Sequence, residues 1–188
     1  MTSKWISVPS ADGRSFDARL SLPPKGHGPG LILIQEIFGV NAHIQAVADQ
    51  YAADGFVVLA PDIFWRQDPR VQLGYDSQGF ERGLALLGSL DLNLAGSDLQ
   101  RATQWLRGHE ACMGPIASVG FCMGGLLSFL AAARAGVDSA VCYYGGGIHQ
   151  HLDWADDITC PLLFHFAEND GYIPKSAVEA TRAKLSGR

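Results

Sequence analysis

The stretch Ile116-Ala117-Ser118-Val119-Gly120-Phe121-Cys122-Met123-Gly124-Gly125-Leu126-Leu127 constrains the fold of this 188-residue chain more than any other. It starts as a short apolar strand, passes through a glycine-flanked cysteine and continues as an alanine- and leucine-rich helix over residues 123–134. The pattern Gly-x-Cys-x-Gly is that of a nucleophile elbow with cysteine in the place usually held by serine. The residue types follow from the geometry of such a turn. A tight strand-to-helix turn holds the nucleophile in a strained backbone conformation, at a cost of about 1–3 kcal/mol. Side chains at Gly120 or Gly124 would collide with the neighbouring strand and helix. The turn lifts the sulfur out of the sheet and leaves the first helical N–H groups, at the positive end of the helix dipole, beside it. The competing reading of Cys122 is a buried, inert thiol ahead of a core helix. The strand–turn–helix context favours the nucleophile.

A turn of this kind needs a sheet behind it, and the rest of the chain supplies one. Residues 5–8 and 16–22 read as strands around the Asp12-Gly13 turn, an antiparallel N-terminal hairpin. Residues 23–30, rich in proline and glycine, are a loop. Residues 30–36 form a continuous apolar run ending in Gln35-Glu36, the pattern of a central parallel strand buried on both faces. Ligands in open α/β sheets bind at the carboxyl ends of such strands, which puts Glu36, Ile37, Phe38 and Gly39 where a site would be. Asn41 can cap a helix over 42–54, with Ile44, Val47, Ala48 and Tyr51 on one face. Another buried strand is expected over 55–62, then a loop over 63–77 holding Phe64, Trp65 and Arg66. Helical patterns follow over 79–89 and 92–108. In the second, Leu99, Ala102 and Leu106 take the apolar side, and Asp98, Arg101 and Arg107 the polar side. Beyond the elbow come strands over 139–144 and 160–166 and a closing helix over 175–185. Strands alternating with helices predict the α/β class: a mostly parallel sheet with helices on both faces, in a single domain over 1–188.

Charge and composition narrow the partners. A net charge of −5 with no basic run argues against nucleic acid and anionic membrane surfaces. Residues 1–5 carry no signal-peptide apolar region, and no apolar run spans a bilayer. Cys112, Cys122, Cys142 and Cys160 are widely spaced and form no CxxC or zinc pattern, which suits a reducing cytoplasm better than a disulfide framework. No metal is implied, and no Gly-x-Gly-x-x-Gly dinucleotide fingerprint follows the first parallel strand. The expectation is a cytoplasmic monomer acting on a small molecule without a cofactor.

A thiol with its usual pKa of about 8.5 is only a few per cent thiolate at neutral pH, so it needs a base or a positive environment. With this elbow the chain order is nucleophile, acid, histidine. Asp170 follows the strand after the nucleophile unit, at its carboxyl end, where the acid belongs, although Asn169-Asp170-Gly171 is also turn chemistry. No histidine follows Asp170. His165 precedes it in the strand body, and His149 and His151 lie in the loop after Tyr144.

The chain resembles the dienelactone hydrolase family (carboxymethylenebutenolidases), a branch of the α/β-hydrolase fold. The residues that carry the resemblance are Gln35-Glu36-Ile37-Phe38-Gly39-Val40-Asn41, Pro61-Asp62, Gly120-Phe121-Cys122-Met123-Gly124-Gly125, Tyr143-Tyr144-Gly145 and Glu168-Asn169-Asp170. It implies Cys122 as nucleophile, Asp170 as triad acid, and Glu36 as a group that hydrogen-bonds the resting thiol and takes its proton when substrate binds. It further implies an oxyanion hole from the backbone N–H groups of Ile37 and Met123. Arg82 is the implied ligand of a substrate carboxylate, with Arg66 a weaker candidate, and Phe38 and Tyr144 are implied pocket walls. Glu81-Arg82 reads equally well as a solvated helix face, and Phe38 and Tyr144 as core. Measured against the family, the domain is expected to be C-terminally incomplete, without the last strand, the histidine loop and the closing helix. The implied reaction is hydrolysis of small carboxylated lactones or esters through a cysteine thioester, in the breakdown of catechol-derived aromatic compounds. Two other readings stay open: a catalytically impaired or non-catalytic carboxylate-binding protein of the same fold, because the triad histidine is absent, and a thiol redox protein using Cys122.

Overall fold

In a computed structural model, which describes residues 2–187, seven strands form one sheet. They are β1 (Thr2–Pro9), β2 (Ser15–Leu22), β3 (Gly28–Ile34), β4 (Val57–Pro61), β5 (Cys112–Phe121), β6 (Ser139–Tyr143) and β7 (Leu162–His165). Their spatial order is β1-β2-β4-β3-β5-β6-β7. The N-terminal hairpin pairs antiparallel, and β2 joins it antiparallel to β4. From β4 to β7 every pairing is parallel. The helices are α1 (Ala42–Ala53), α2 (Ser77–Gly88), α3 (Leu92–Arg107), α4 (Met123–Arg134) and α5 (Lys175–Leu185). This is the α/β-hydrolase fold expected from the sequence: a mixed, mostly parallel sheet covered by helices on both faces.

The continuous apolar run of β3 has a direct physical cause. Side chains alternate across a strand, and both faces of β3 are covered. Leu31 and Leu33 pack with Val58, Ala60 and α1 residues Ile44, Ala48 and Ala52. Ile32 and Ile34 pack on the other face with Leu59, with Leu99 and Leu106 of α3, and with Leu127, Phe129 and Leu130 of α4. Each such side chain contributes about 1.5–3 kcal/mol on burial. Helix α4 is buried at every position from Met123 to Ala132, so it has no polar face to show in its sequence. Asn41, Asp76 and Asp91 cap α1, α2 and α3 through side-chain oxygens that accept backbone N–H bonds.

Three details depart from the sequence expectation. Strand β5 begins at Cys112 rather than residue 116; its first residues are largely exposed and meet β3 across a register shift between Gly28 and Gly30, so they carry no apolar signal. The loop after β6 is ordered by two 3-10 segments, Ile148–Gln150 and Leu152–Asp157, with Trp154 buried against Phe129 at a ring separation of 6.2 Å. Asp98, placed by type on the polar side of α3, is buried instead. It accepts hydrogen bonds from Trp65 Nε1 (2.8 Å), Arg66 Nε (3.0 Å), Arg66 Nη2 (2.8 Å) and Ser10 Oγ (3.0 Å). A cavity of about 510 Å³ opens between β7 and α5, lined by Cys160, Leu162, Phe164 and Val178 among others, and contains none of the candidate site residues. No helix among the described residues is long and apolar enough to cross a membrane.

Candidate active site

The elbow forms as a strand-to-helix turn between β5 and α4. Cys122 has φ 54° and ψ −117°, a positive-φ conformation in a non-glycine residue. Its N–H donates to the carbonyl of Tyr143 at the end of β6 (3.1 Å), and its carbonyl accepts from Gly125 N–H (2.9 Å). The neighbouring glycines let backbone meet backbone. A Cβ on Gly120 would overlap the Gly124 carbonyl, and a Cβ on Gly124 would overlap the Ile34 carbonyl of β3. Larger residues at either position would push α4 off the sheet and carry Cys122 with it.

Four strand ends bring the remaining candidates to the same edge of the sheet. Glu36 follows β3, Cys122 ends β5, Tyr144 follows β6 and Asp170 lies in the turn after β7. The charges of Glu36 and Asp170 both act on Cys122. Burial pushes its thiol above the usual range, and the two carboxylates add to that rise, while the Met123 N–H pulls the other way. Tyr144 is pushed up to about 12 by burial and by Glu36 and Cys122. The Asp170 carboxylate accepts from Tyr172 N–H (2.7 Å) and Ile173 N–H (3.1 Å), which closes its turn. Tyr144 takes φ 39° and donates its N–H to the His165 carbonyl at 2.8 Å, tying the end of β6 to β7.

Ile37 and Met123 are both buried, one just after Glu36 and the other at the first position of α4. Phe38 packs its ring on Tyr75 at 4.4 Å. Gly83 of α2 sits against the Ile37 carbonyl, so a Cβ there would come to 2.7 Å of that oxygen. Arg82, its neighbour, pairs with Asp68 at 3.0 Å, and both side chains are about half exposed. Arg66 lies elsewhere: its guanidinium is held by Asp98 at 2.8 Å and by Asp12 at 2.6 Å. Three histidine rings stack or tilt against aromatic neighbours. His165 lies on Tyr143 at 4.3 Å, His151 on Trp154 at 4.2 Å and His109 beside Trp105 at 5.1 Å. No group of three or more His, Cys, Asp or Glu residues among the described residues could hold a metal ion.

One residue at the site escaped the sequence reading. Tyr75, in the loop over 63–77, donates its hydroxyl to Glu36 Oε2 at 2.5 Å. Its ring also meets His43 edge-on at 6.0 Å. Partial burial and then the hydrogen bond to Glu36 push the phenol up to about 12. The only local signal was Asp76 beside it, a helix-cap residue that fixes where the loop ends.

A model of the dienelactone hydrolase family matches residues 16–188 of the chain. A carboxymethylenebutenolidase of Pseudomonas putida is 34% identical over 175 residues, which cover 93% of this chain and 74% of that protein. Carboxymethylenebutenolidase 1 of Cupriavidus pinatubonensis is 33% identical over 178 residues, 94% of this chain and 76% of its own. Among solved structures, a protein of Klebsiella pneumoniae subsp. pneumoniae described as a candidate dienelactone hydrolase superposes with a TM-score of 0.85. It is 27% identical, and the match covers 98% of this chain and 80% of that one. Est1E of Butyrivibrio proteoclasticus shares the fold at a TM-score of 0.68 and 16% identity, with 96% of this chain and 84% of that one covered.

Proposed function

The chain belongs to the dienelactone hydrolase family, and from that premise we propose that it hydrolyses small carboxylated lactones or esters through the thiol of Cys122, in the breakdown of catechol-derived aromatic compounds. The observation that carries this reading is the conformation of Cys122, at φ 54° on the turn into α4, with Glu36 and Asp170 close enough to shift its thiol. In the proposed reaction the thiol gives its proton to Glu36, and the sulfur attacks the lactone or ester carbonyl. The N–H groups of Ile37 and Met123 take the developing oxyanion, the ring or ester oxygen leaves and takes the proton held by Glu36, and water hydrolyses the resulting thioester to the free acid, its second proton restoring the thiol. Asp170 is the triad acid of this scheme, Phe38 and Tyr144 wall the pocket, and Arg82 meets the substrate carboxylate once it exchanges Asp68 for substrate. The domain acts as a cytoplasmic monomer in this reading, and its charge of −5 supports a small-molecule rather than a nucleic-acid partner.

One observation favours a second reading. Among the described residues, the groups that shift the Cys122 thiol include no histidine. In this second reading the site, without a histidine to hold the thiolate, binds small carboxylates without turning them over. Incubation with a dienelactone or an activated ester, followed by product analysis, separates the two. Hydrolysis that falls at least about a hundredfold in Cys122→Ala supports the nucleophile. Undiminished hydrolysis in that variant refutes it, and binding without product supports the second reading.

A further inference from the structure

We propose that Tyr75 is a positioning residue for Glu36: its hydroxyl holds the carboxylate off the Cys122 sulfur, and loss of that hydrogen bond lets the carboxylate engage the thiol proton. The inference rests on the role given to Glu36 above and adds the group that controls it. At 2.5 Å, the Tyr75 hydroxyl is a short, charge-assisted donor to Glu36 Oε2. Among the described residues no hydrogen bond joins the Cys122 sulfur to Glu36, although the charge of Glu36 reaches that sulfur. The carboxylate is within electrostatic reach of the thiol and committed to a different partner.

The loop that carries Tyr75 is clamped to the segment that follows Glu36. Leu73 N–H donates to the Phe38 carbonyl at 2.8 Å, and Asn41 Nδ2 donates to the Leu73 carbonyl at 3.1 Å. Gly39 and Gln72 form an antiparallel bridge, and Gln45 Nε2 reaches Gln72 Oε1 at 2.9 Å. Asp76, next in the chain, caps α2 through Gly79 N–H at 2.7 Å. The backbone on both sides of Tyr75 is therefore fixed, while the side chain itself is 58% exposed. An exposed tyrosine adds little to the core. What it does add is a donor to the Glu36 carboxylate, from a hydroxyl that also meets the Asn41 side chain, with its ring steadied on Phe38.

The chemistry has a definite direction. While Tyr75 donates, its hydroxyl commits Glu36 Oε2 to the phenol rather than to the Cys122 proton. A substrate anion that takes the Tyr75 hydroxyl for itself releases Glu36, so substrate binding and thiol deprotonation become one event. The proton moves from Sγ to a Glu36 oxygen, and no other reactant is required.

The test is the pH dependence of Cys122 alkylation by iodoacetamide, followed by mass spectrometry of the Cys122 peptide, in four proteins: wild type, Tyr75→Phe, Glu36→Gln and the double variant. Phenylalanine keeps the ring on Phe38, and the Tyr75 phenol retains its proton across the range. Asp170 and Tyr144, which also act on or face the sulfur, and His43, which faces Tyr75, are the same in all four. Freed Glu36 accepts the S–H bond and stabilises the thiol, so Tyr75→Phe is expected to move the inflection upward by about half a pH unit or more. Glu36→Gln is expected to move it downward, and Tyr75→Phe to add nothing in that background. Equal shifts by Tyr75→Phe in both backgrounds, or none in the presence of Glu36, overturn the proposal while leaving the role of Glu36 in place. An inflection unmoved by Glu36→Gln, or a Cys122 that resists alkylation throughout, removes the underlying reading and this one with it.

Discussion

Replacing Cys122 by glycine and by alanine asks whether the elbow stores backbone strain. Both variants lack the sulfur, so neither can form a thioester, and they differ only in the Cβ. At φ 54° and ψ −117°, Cys122 lies outside the left-handed helical well, where ψ is about +30 to +60°. That places the strain at the upper end of the usual range, about 3 kcal/mol, and alanine retains it while glycine sheds it. Two effects oppose glycine. The unfolded chain gains entropy worth about 0.4–1 kcal/mol, and burial of one carbon is lost, about 0.8 kcal/mol. The strain wins, and Cys122→Gly is expected to be more stable than Cys122→Ala by about 1–2 kcal/mol. In a chain of this size that difference corresponds to roughly 2–8 °C in Tm. Urea titration of both variants, with equal m-values, measures it. A glycine variant as stable as the alanine variant, or less stable, refutes the argument that the turn is held against its own conformational preference by β5 and α4.

Two further outcomes follow from buried charge. Asp98→Ala leaves Trp65 Nε1 and Ser10 Oγ–H without their acceptor and Arg66 without its buried carboxylate, with only Asp12 and Ser10 remaining to it, and is expected to cost about 3–5 kcal/mol in urea unfolding; a loss below about 1 kcal/mol contradicts the network. Burial raises the Asp62 carboxyl from 3.8 to about 6, so between those values the folded state keeps a proton that the unfolded chain has released. The stability contributed by Asp62 therefore falls as pH rises from about 4 to about 6, by about 3 kcal/mol, and the difference between wild type and Asp62→Asn should slope accordingly; a flat difference counts against the assignment.

Local chemistry was readable in the sequence, and long-range polar contacts were not. Helices α4 and α5 run over the residues expected, and Asn41 caps α1 by accepting from Ile44 N–H at 3.1 Å. Those features depend on neighbours a few residues away. Asp98 shows the opposite case. It sits four residues before Ala102, on the inner stripe of α3, but its polarity placed it outside. The residues that make its burial tolerable, Ser10, Trp65 and Arg66, are remote in sequence, and nothing near residue 98 announces them. Tyr75 follows the same logic, since its partner Glu36 lies 39 residues away. Glu36, Cys122 and Asp170 were expected at one edge because parallel strands end there, and the position of each after its strand was enough, whereas Tyr144 came only from the family resemblance.

The electrostatics at Cys122 argue for the way its proton must leave. Burial and the charges of Glu36 and Asp170 all raise the thiol, opposed by the Met123 N–H and the start of α4, a helix terminus worth about 0.3–1 kcal/mol. The resting thiol is accordingly protonated at neutral pH. Releasing its proton to water would place a third negative charge beside two carboxylates in a partly buried site. Passing the proton to Glu36 creates the thiolate and removes the Glu36 charge in the same step, so the net charge of the site does not change. A carboxylated substrate sharpens the difference, because it adds a negative charge of its own and makes loss of the proton to water costlier still. In the proposed reaction Glu36 is therefore useful because it is an anion near the thiol that can be neutralised when the sulfur needs to become one. The Tyr75 hydrogen bond, which occupies a Glu36 oxygen, is the contact that must yield first.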